Sequence, residues 1–325
     1  MKLGLFEHAG DDRPLLAIAL LLVGTLTLGL QDSLMKLMSA ETSFWQIQTL
    51  RSAGNILILV LLASLSGGLA LIRPRNTRGV VLRAAFLSIC MFFFFSGAPF
   101  LSVAQMAAGL YTYPLFVCLL AGPILGEKIG LWRISAMMLG FLGAVLMLSP
   151  WQDSFSKVQL LPIIAGFFYA CNILTLRSAC RRESTLALAF VAGAMFLVSG
   201  LIGITVLSLF PLSQNLQEAM PFVAIGWPEL TLWVAGFALV ASILNLAGNI
   251  CMTRAYQTAD VSLLAPLDFS YLIFAACWGR VIFGDWPTSR ALLGMALIIA
   301  AGMVIAWREH SVKTKLSVEP GNQYS

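Results

Sequence analysis

Nine polar side chains interrupt long aliphatic runs in positions where chemistry would need them: Asp32, Lys36, Arg51, Tyr111, Tyr113, Asn245, Asn249, Asp268 and Tyr271. An ionisable group at the centre of a membrane helix costs about 2.5–3.5 kcal/mol on insertion scales, so each needs a partner or a task. Asp32 and Lys36 are four residues apart, acid first, and share one helix face. Either they bond each other, or Lys36 snorkels to the nearby outer end. Arg51 lies at similar depth in the next apolar run. It offers Asp32 either a buried packing bridge or a shared gate and substrate contact. Asp268 sits about two turns into an apolar run beside Pro266, whose ring predicts a kink, with Tyr271 one turn on. A carboxylate there carries a proton, holds a cationic substrate group, or serves as a hydrogen-bonded structural acid. Asn245 and Asn249 share a helix face as interhelical glue or as cavity lining. Tyr111 and Tyr113 precede Pro114, which predicts a mid-helix kink with a freed carbonyl. Their rings line a cavity and stack on a solute, or simply pack.

Other chemistries lack their residues. The two histidines, His8 and His310, lie at opposite ends of the chain, which excludes His-based triads and HExxH zinc sites. The six cysteines are scattered through apolar stretches with no CxxC pair and read as small packing residues. There is no GxxxxGK[ST] phosphate loop. No catalytic residue, metal or cofactor is expected, and the chain is read as a non-enzyme. Asp32 and Asp268 are the acids available to a membrane-embedded enzyme. The predicted topology puts them in opposite membrane halves, too far apart for a dyad.

These residues need a scaffold, and composition says what kind. Of 325 residues 59% are hydrophobic and 11% charged, against about 25% charged in soluble domains; mean hydropathy is +0.88. Ten apolar segments approach the roughly 20 residues that cross a bilayer: 14–38, 44–66, 81–100, 103–125, 131–149, 159–179, 184–210, 231–252, 261–283 and 289–307. The expected fold is an all-α membrane protein of ten transmembrane helices in two inverted five-helix repeats, 14–150 and 157–307, between cytoplasmic tails at 1–13 and 308–325. Glu7, Asp11 and Asp12 before the first run argue against a cleaved signal. With the N-terminus inside, only Lys36, Arg51, Lys157, Arg280 and Arg290 of the 20 Lys and Arg fall on the outer side or outer half. The bias puts both termini in the cytoplasm. The net charge of +5 is spent on orientation, and no nucleic-acid partner is expected.

Smaller features follow from the same frame. Trp151, Trp227, Trp286 and Trp307 at span ends read as interfacial anchors. The Phe92–Phe95 run covers every face of its helix, so at least two of these rings should face lipid. Glu127 and Asp285 at corners read as caps for the following helices or as partners of nearby cations.

Within 103–149, Leu110-Tyr111-Thr112-Tyr113-Pro114 leads to Gly126-Glu127 and a further span; within 258–307, Leu264-Ala265-Pro266-Leu267-Asp268 leads to Gly284-Asp285 and a further span. The same order recurs on opposite sides of the membrane, the mark of an inverted repeat framing a midplane site. These segments, with Gln48-Thr49-Leu50-Arg51 and Ala108-Gly109-Leu110-Tyr111-Thr112-Tyr113-Pro114-Leu115-Phe116-Val117, resemble the EamA family of the drug/metabolite transporter superfamily. The resemblance covers about 14–307. It implies two five-helix halves, a central cavity and secondary transport of small organic solutes. Asp32…Lys36 with Gln48 and Arg51 is similar to a bacterial branch that includes vitamin and S-adenosylmethionine transporters. Asp285 stands where the family usually has Glu, and Leu272 where a proline is expected.

The functional expectation is a secondary active transporter in the bacterial inner membrane, working by alternating access. Candidate solutes are a riboflavin-like vitamin, S-adenosylmethionine or an amino acid. Its partners are that small-molecule substrate, the lipid bilayer, and protons or an exchanged solute. The alternatives are an exporter of amino acids or toxic metabolites and, in another class, a receptor or scaffold without flux. A channel needs a polar stripe through many spans, and polar residues occur in only four or five.

Overall fold

The computed structural model describes residues 14–66, 68–125, 131–148, 156–180, 183–258, 264 and 267–318. Among the described residues thirteen α-helices follow one another: α1 (Pro14–Met38), α2 (Phe44–Ser66), α3 (Thr77–Ser96), α4 (Val103–Leu110), α5 (Tyr113–Leu125), α6 (Leu131–Leu148), α7 (Leu161–Ala179), α8 (Thr185–Leu209), α9 (Gln214–Ala219), α10 (Pro221–Ala224), α11 (Leu232–Thr258), α12 (Ser270–Phe283) and α13 (Ser289–Val318). No strand occurs among the described residues. In a bilayer a backbone must satisfy itself, and helices do so within one segment. Among the described residues seven stretches are long and apolar enough to cross a membrane: α1, most of α2, α3, α4 with α5, α7 with its preceding turn, α8 and most of α11. Three shorter apolar helices lie within α6, α12 and α13. The chain is an all-helical, multi-pass membrane protein.

Local sequence sets where helices begin. The Asn76 side chain accepts from Gly79 N at 3.2 Å and starts α3. Ser102 and Gln105 form a reciprocal capping box at α4, satisfying two otherwise orphaned N–H groups. Ser184 caps α8. At α13 the cap is Thr288, which accepts from Ala291 N at 3.3 Å; Asp285, three residues earlier, lies within electrostatic reach of Lys36, the other role expected of it. Glu127, Trp151 and Pro266 lie outside the described residues, as do the tails at 1–13 and 319–325.

The main packed pairs are α1 on α11, α3 on α7, α2 on α8 and α6 on α13. At the last of these the backbones touch: a Cβ on Gly143 would lie 2.7 Å from Gly294 O, and one on Gly294 2.6 Å from Gly143 O. Small residues permit that approach.

One expectation changes. The break expected at Pro114 occurs at Tyr111-Thr112, which separates α4 from α5 and leaves Pro114 in the first turn of α5. A proline costs little there, because its missing N–H has no intrahelical partner to lose. Within the Phe92–Phe95 run Phe94 and Phe95 are buried, while Phe92 and Phe93 are half-buried, Phe92 stacking on Trp45 at 5.4 Å and Phe93 on Phe168 at 5.8 Å. The segment 211–230 is a folded cap. Trp45 Nε1 donates to Val223 O at 2.8 Å, Ser43 to Gly226 O at 2.8 Å and Gln46 to Pro228 O at 2.8 Å, while Phe222 is buried against Phe44.

Candidate substrate site

The Asp32 carboxylate of α1 accepts from the Tyr271 hydroxyl of α12. Tyr271 stacks on Tyr111 with rings 5.2 Å apart and 9° from parallel. The Tyr111 hydroxyl donates to Asp268 O at 3.2 Å, and the Tyr113 hydroxyl to Asp268 Oδ2 at 3.4 Å. Tyr113 meets Tyr169 of α7 edge-on at 4.9 Å, and Phe269 meets Tyr111 at 5.5 Å. Tyr169 and Tyr256 also lie within electrostatic reach of the Asp268 carboxylate. Five of the six tyrosines therefore gather around the two aspartates. Expected far apart in opposite membrane halves, Asp32 and Asp268 instead flank one aromatic cluster. Tyr271, one turn beyond Asp268, reaches Asp32 directly. Both aspartates are half-buried as residues, and each carboxylate is held by a tyrosine hydroxyl.

Next to Asp32 on α1, Gln31 opens a second, polar region. Asn245 of α11 donates to Gln31 Oε1 at 3.0 Å and accepts from Asn55 of α2 at 3.2 Å. Arg51 is 2% exposed. Its Nη2 donates to Gln48 Oε1 at 2.7 Å, its backbone carbonyl accepts from Ser242 at 2.9 Å, and its guanidinium lies 5.9 Å from the Phe196 ring centre. Arg51 and Asp32 attract each other without direct contact. The expected packing bridge between them is replaced by two separate bonds, Arg51 to Gln48 and Tyr271 to Asp32.

Five buried polar atoms of this region have no partner: Gln31 Nε2, Gln48 Nε2, Arg51 Nε, Ser52 Oγ and Asn55 Oδ1. An unsatisfied buried group costs about 1–3 kcal/mol, and in hydrocarbon no water relieves it. Three nitrogen donors, one amide acceptor and one hydroxyl able to act either way are thus left unused beside the aromatic cluster.

Lys36 turns away from Asp32. Its Nζ donates to Ala98 O at 3.0 Å and Leu101 O at 2.6 Å, at the corner between α3 and α4, and lies 5.1 Å over the Phe283 ring. A pocket of about 460 Å³ opens there, lined in part by Lys36, Glu41, Thr42, Pro221 and Phe283. The carbonyls compete successfully because the turn between α3 and α4 carries backbone acceptors that no helix uses. Asn249 is exposed and bonds only its own helix, at Asn245 O, so the two asparagines separate: Asn245 joins three helices and Asn249 does not.

Sequence reasoning missed Gln31, Ser52, Asn55, Tyr169 and Tyr256. A signal existed for part of this set. Gln48, Arg51, Ser52 and Asn55 follow helical spacing along α2 and form a polar stripe. Tyr169 and Tyr256 had no such signal, since nothing local separates them from packing residues.

The EamA-like transporter family model matches residues 15–149 and again 156–307. The chain belongs to the EamA-like transporter family. Its relatives are named as transporters and not as enzymes, in the drug/metabolite transporter group. A riboflavin transporter of Rhizobium johnstonii is 28% identical over 83% of this chain and 82% of its own length. A riboflavin transporter of Vibrio cholerae is 29% identical over 62% of each chain; the chain matches about three fifths of that protein's length. A pseudopaline exporter of Pseudomonas aeruginosa is 23% identical over 89% of this chain and 95% of its own.

Proposed function

We propose that the protein is a secondary transporter of a small heteroaromatic metabolite of the riboflavin type, acting in a bacterial inner membrane by alternating access. One observation carries this reading: stacked tyrosines flanked by two aspartates whose carboxylates they bond, next to five orphaned polar atoms. A flat, polar-edged ring system would stack on the tyrosines and satisfy the orphans. The names of the Rhizobium and Vibrio relatives support the same solute class.

The proposed architecture is ten helices in two inverted five-helix repeats, 14–150 and 157–307, with α4 and α5 counted as one span. Its support is the packing itself. Exchanging the halves sends α1 to α7, α2 to α8, α3 to α11 and α6 to α13. The α1–α11 pair then becomes α7–α3, while α2–α8 and α6–α13 map onto themselves. Such invariance is expected of repeats around a shared midplane site. Both termini are assigned to the cytoplasm from the Lys and Arg bias.

In the proposed mechanism Asp32, Tyr111, Tyr113, Asn245, Asp268 and Tyr271 contact the solute, and Arg51 with Gln48 fixes its polar edge. Lys36 latches the α3–α4 corner, Asn249 lines the approach, and Asp268 exchanges a proton. Uptake of radiolabelled riboflavin into proteoliposomes under an imposed proton gradient tests this reading. Binding without flux would favour a receptor. Flux of amino acids but not flavins would move the solute class to that of the alternative exporter.

A further inference from the structure

Arg83 stands in the second turn of α3 and is absent from the site just described. Its Nε is fully enclosed and has no hydrogen-bond partner, and among the described residues no carboxylate pairs with it. Its electrostatic neighbours are the Tyr169 hydroxyl and the Cys180 thiol, neither of which supplies a counter-charge in its ordinary neutral form. Snorkelling usually excuses an arginine near a helix end. Here the Nε is enclosed on a side chain that is half-buried as a whole. An unpaired charge in such a place is costly, and a planar fork with spare donors is the group best matched to a two-oxygen anion.

The position on α3 adds direction. Arg83 and Cys90 are seven residues apart on one helix face, two turns or about 10.5 Å. Cys90 lies within electrostatic reach of both Asp32 and Tyr169, and Tyr169 reaches Asp268 as well as Arg83. Tyr169 belongs to the aromatic cluster, so Arg83 stands beside the edge of that cluster, toward the end where α3 begins.

We propose that Arg83 is an oxyanion-binding residue, taking a phosphate or carboxylate group that enters at the end of the bundle where α3 begins. The anion comes either from a free solute or from the headgroup of an anionic lipid, and the guanidinium recognises the shared oxygen geometry in both. This is independent of which solute the tyrosine cluster accepts.

Thermal unfolding of delipidated protein in a neutral detergent tests the proposal, using two probes: inorganic phosphate, and phosphatidylglycerol mixed into the micelles against phosphatidylcholine as control. Wild type should gain about 2–4 °C at saturating anion, Arg83→Lys should keep part of that shift, and Arg83→Gln should lose it. A response to phosphate assigns the site to free anions, and a response to phosphatidylglycerol alone assigns it to lipid; either upholds the proposal. Wild type unmoved by both probes overturns it without recourse to any variant, and so does an Arg83→Gln protein that responds as wild type does.

Discussion

The Tyr271 hydroxyl donates its hydrogen bond to the Asp32 carboxylate across 239 residues of sequence. That contact joins α12 to α1, each of which carries one of the two intramembrane aspartates or its close neighbour. The α1–α12 seam is reinforced on either side. Thr25 and Ser270 share a hydrogen bond at 3.0 Å, and Trp278 Nε1 donates to Leu26 O at 3.0 Å.

Removing the hydroxyl should therefore strand a carboxylate. Tyr271→Phe should cost about 1–3 kcal/mol in detergent unfolding. The double variant Asp32→Asn/Tyr271→Phe should cost less than the sum of the singles, with coupling of about 0.5–3 kcal/mol. The matching cycle for Asp32 and Arg51 should couple more weakly, because those groups share no bond. Additive losses in the Tyr271 cycle would show that the contact carries no energy.

Asn245 separates glue from ligand binding. It bonds both Gln31 and Asn55, and side-chain bonds in membrane bundles average about 0.6 kcal/mol. Asn245→Leu should lower stability by only about 1 kcal/mol yet reduce riboflavin uptake at least about tenfold, since two flanking amides change orientation. Full uptake in a mildly destabilised variant would make the residue glue alone.

Asp268 is the residue through which proton coupling would act. Asp268→Asn keeps the shape and removes the titrating group, while still accepting from Tyr113. Accumulation driven by a pH gradient should vanish, and exchange of labelled for unlabelled substrate should persist. Unchanged gradient-driven accumulation would remove Asp268 from the coupling path; loss of binding as well would make its carboxylate a ligand.

At the α6–α13 crossing Gly294 faces backbone, with Gly143 O at 2.6 Å from an added Cβ. Neither partner can rotate away as a side chain would. Gly294→Val should destabilise by about 1–3 kcal/mol or more through overpacking, read as a lower unfolding temperature. A neutral outcome would mean that the two helices separate without cost.

Topology is open to thiol labelling once exposed Cys277 is replaced. Arg78 and Ser289 are both exposed. Arg78→Cys should react only after the membrane is breached, and Ser289→Cys from outside the intact cell. The reverse pattern would invert the assignment.

The helical character and the membrane setting were legible in the chain because both depend on local sums. Hydropathy accumulates over twenty consecutive residues, and an orphaned backbone in lipid leaves no alternative to helix. The identities of Asp32, Arg51, Tyr111, Tyr113, Asn245, Asp268 and Tyr271 were legible for the same reason: a polar group in an apolar run stands out one residue at a time. Their partners were not. Lys36 and Asp32 share a helix face, yet Lys36 bonds carbonyls at the α3–α4 corner and Asp32 bonds a tyrosine from α12. Tyr169 and Tyr256 look like ordinary packing residues until α7 and α11 close around Asp268. Periodicity reports which way a side chain leaves its own helix. Which helix waits there is decided by packing among segments hundreds of residues apart, where small residues permit close approach and each buried donor competes for the few acceptors within its reach.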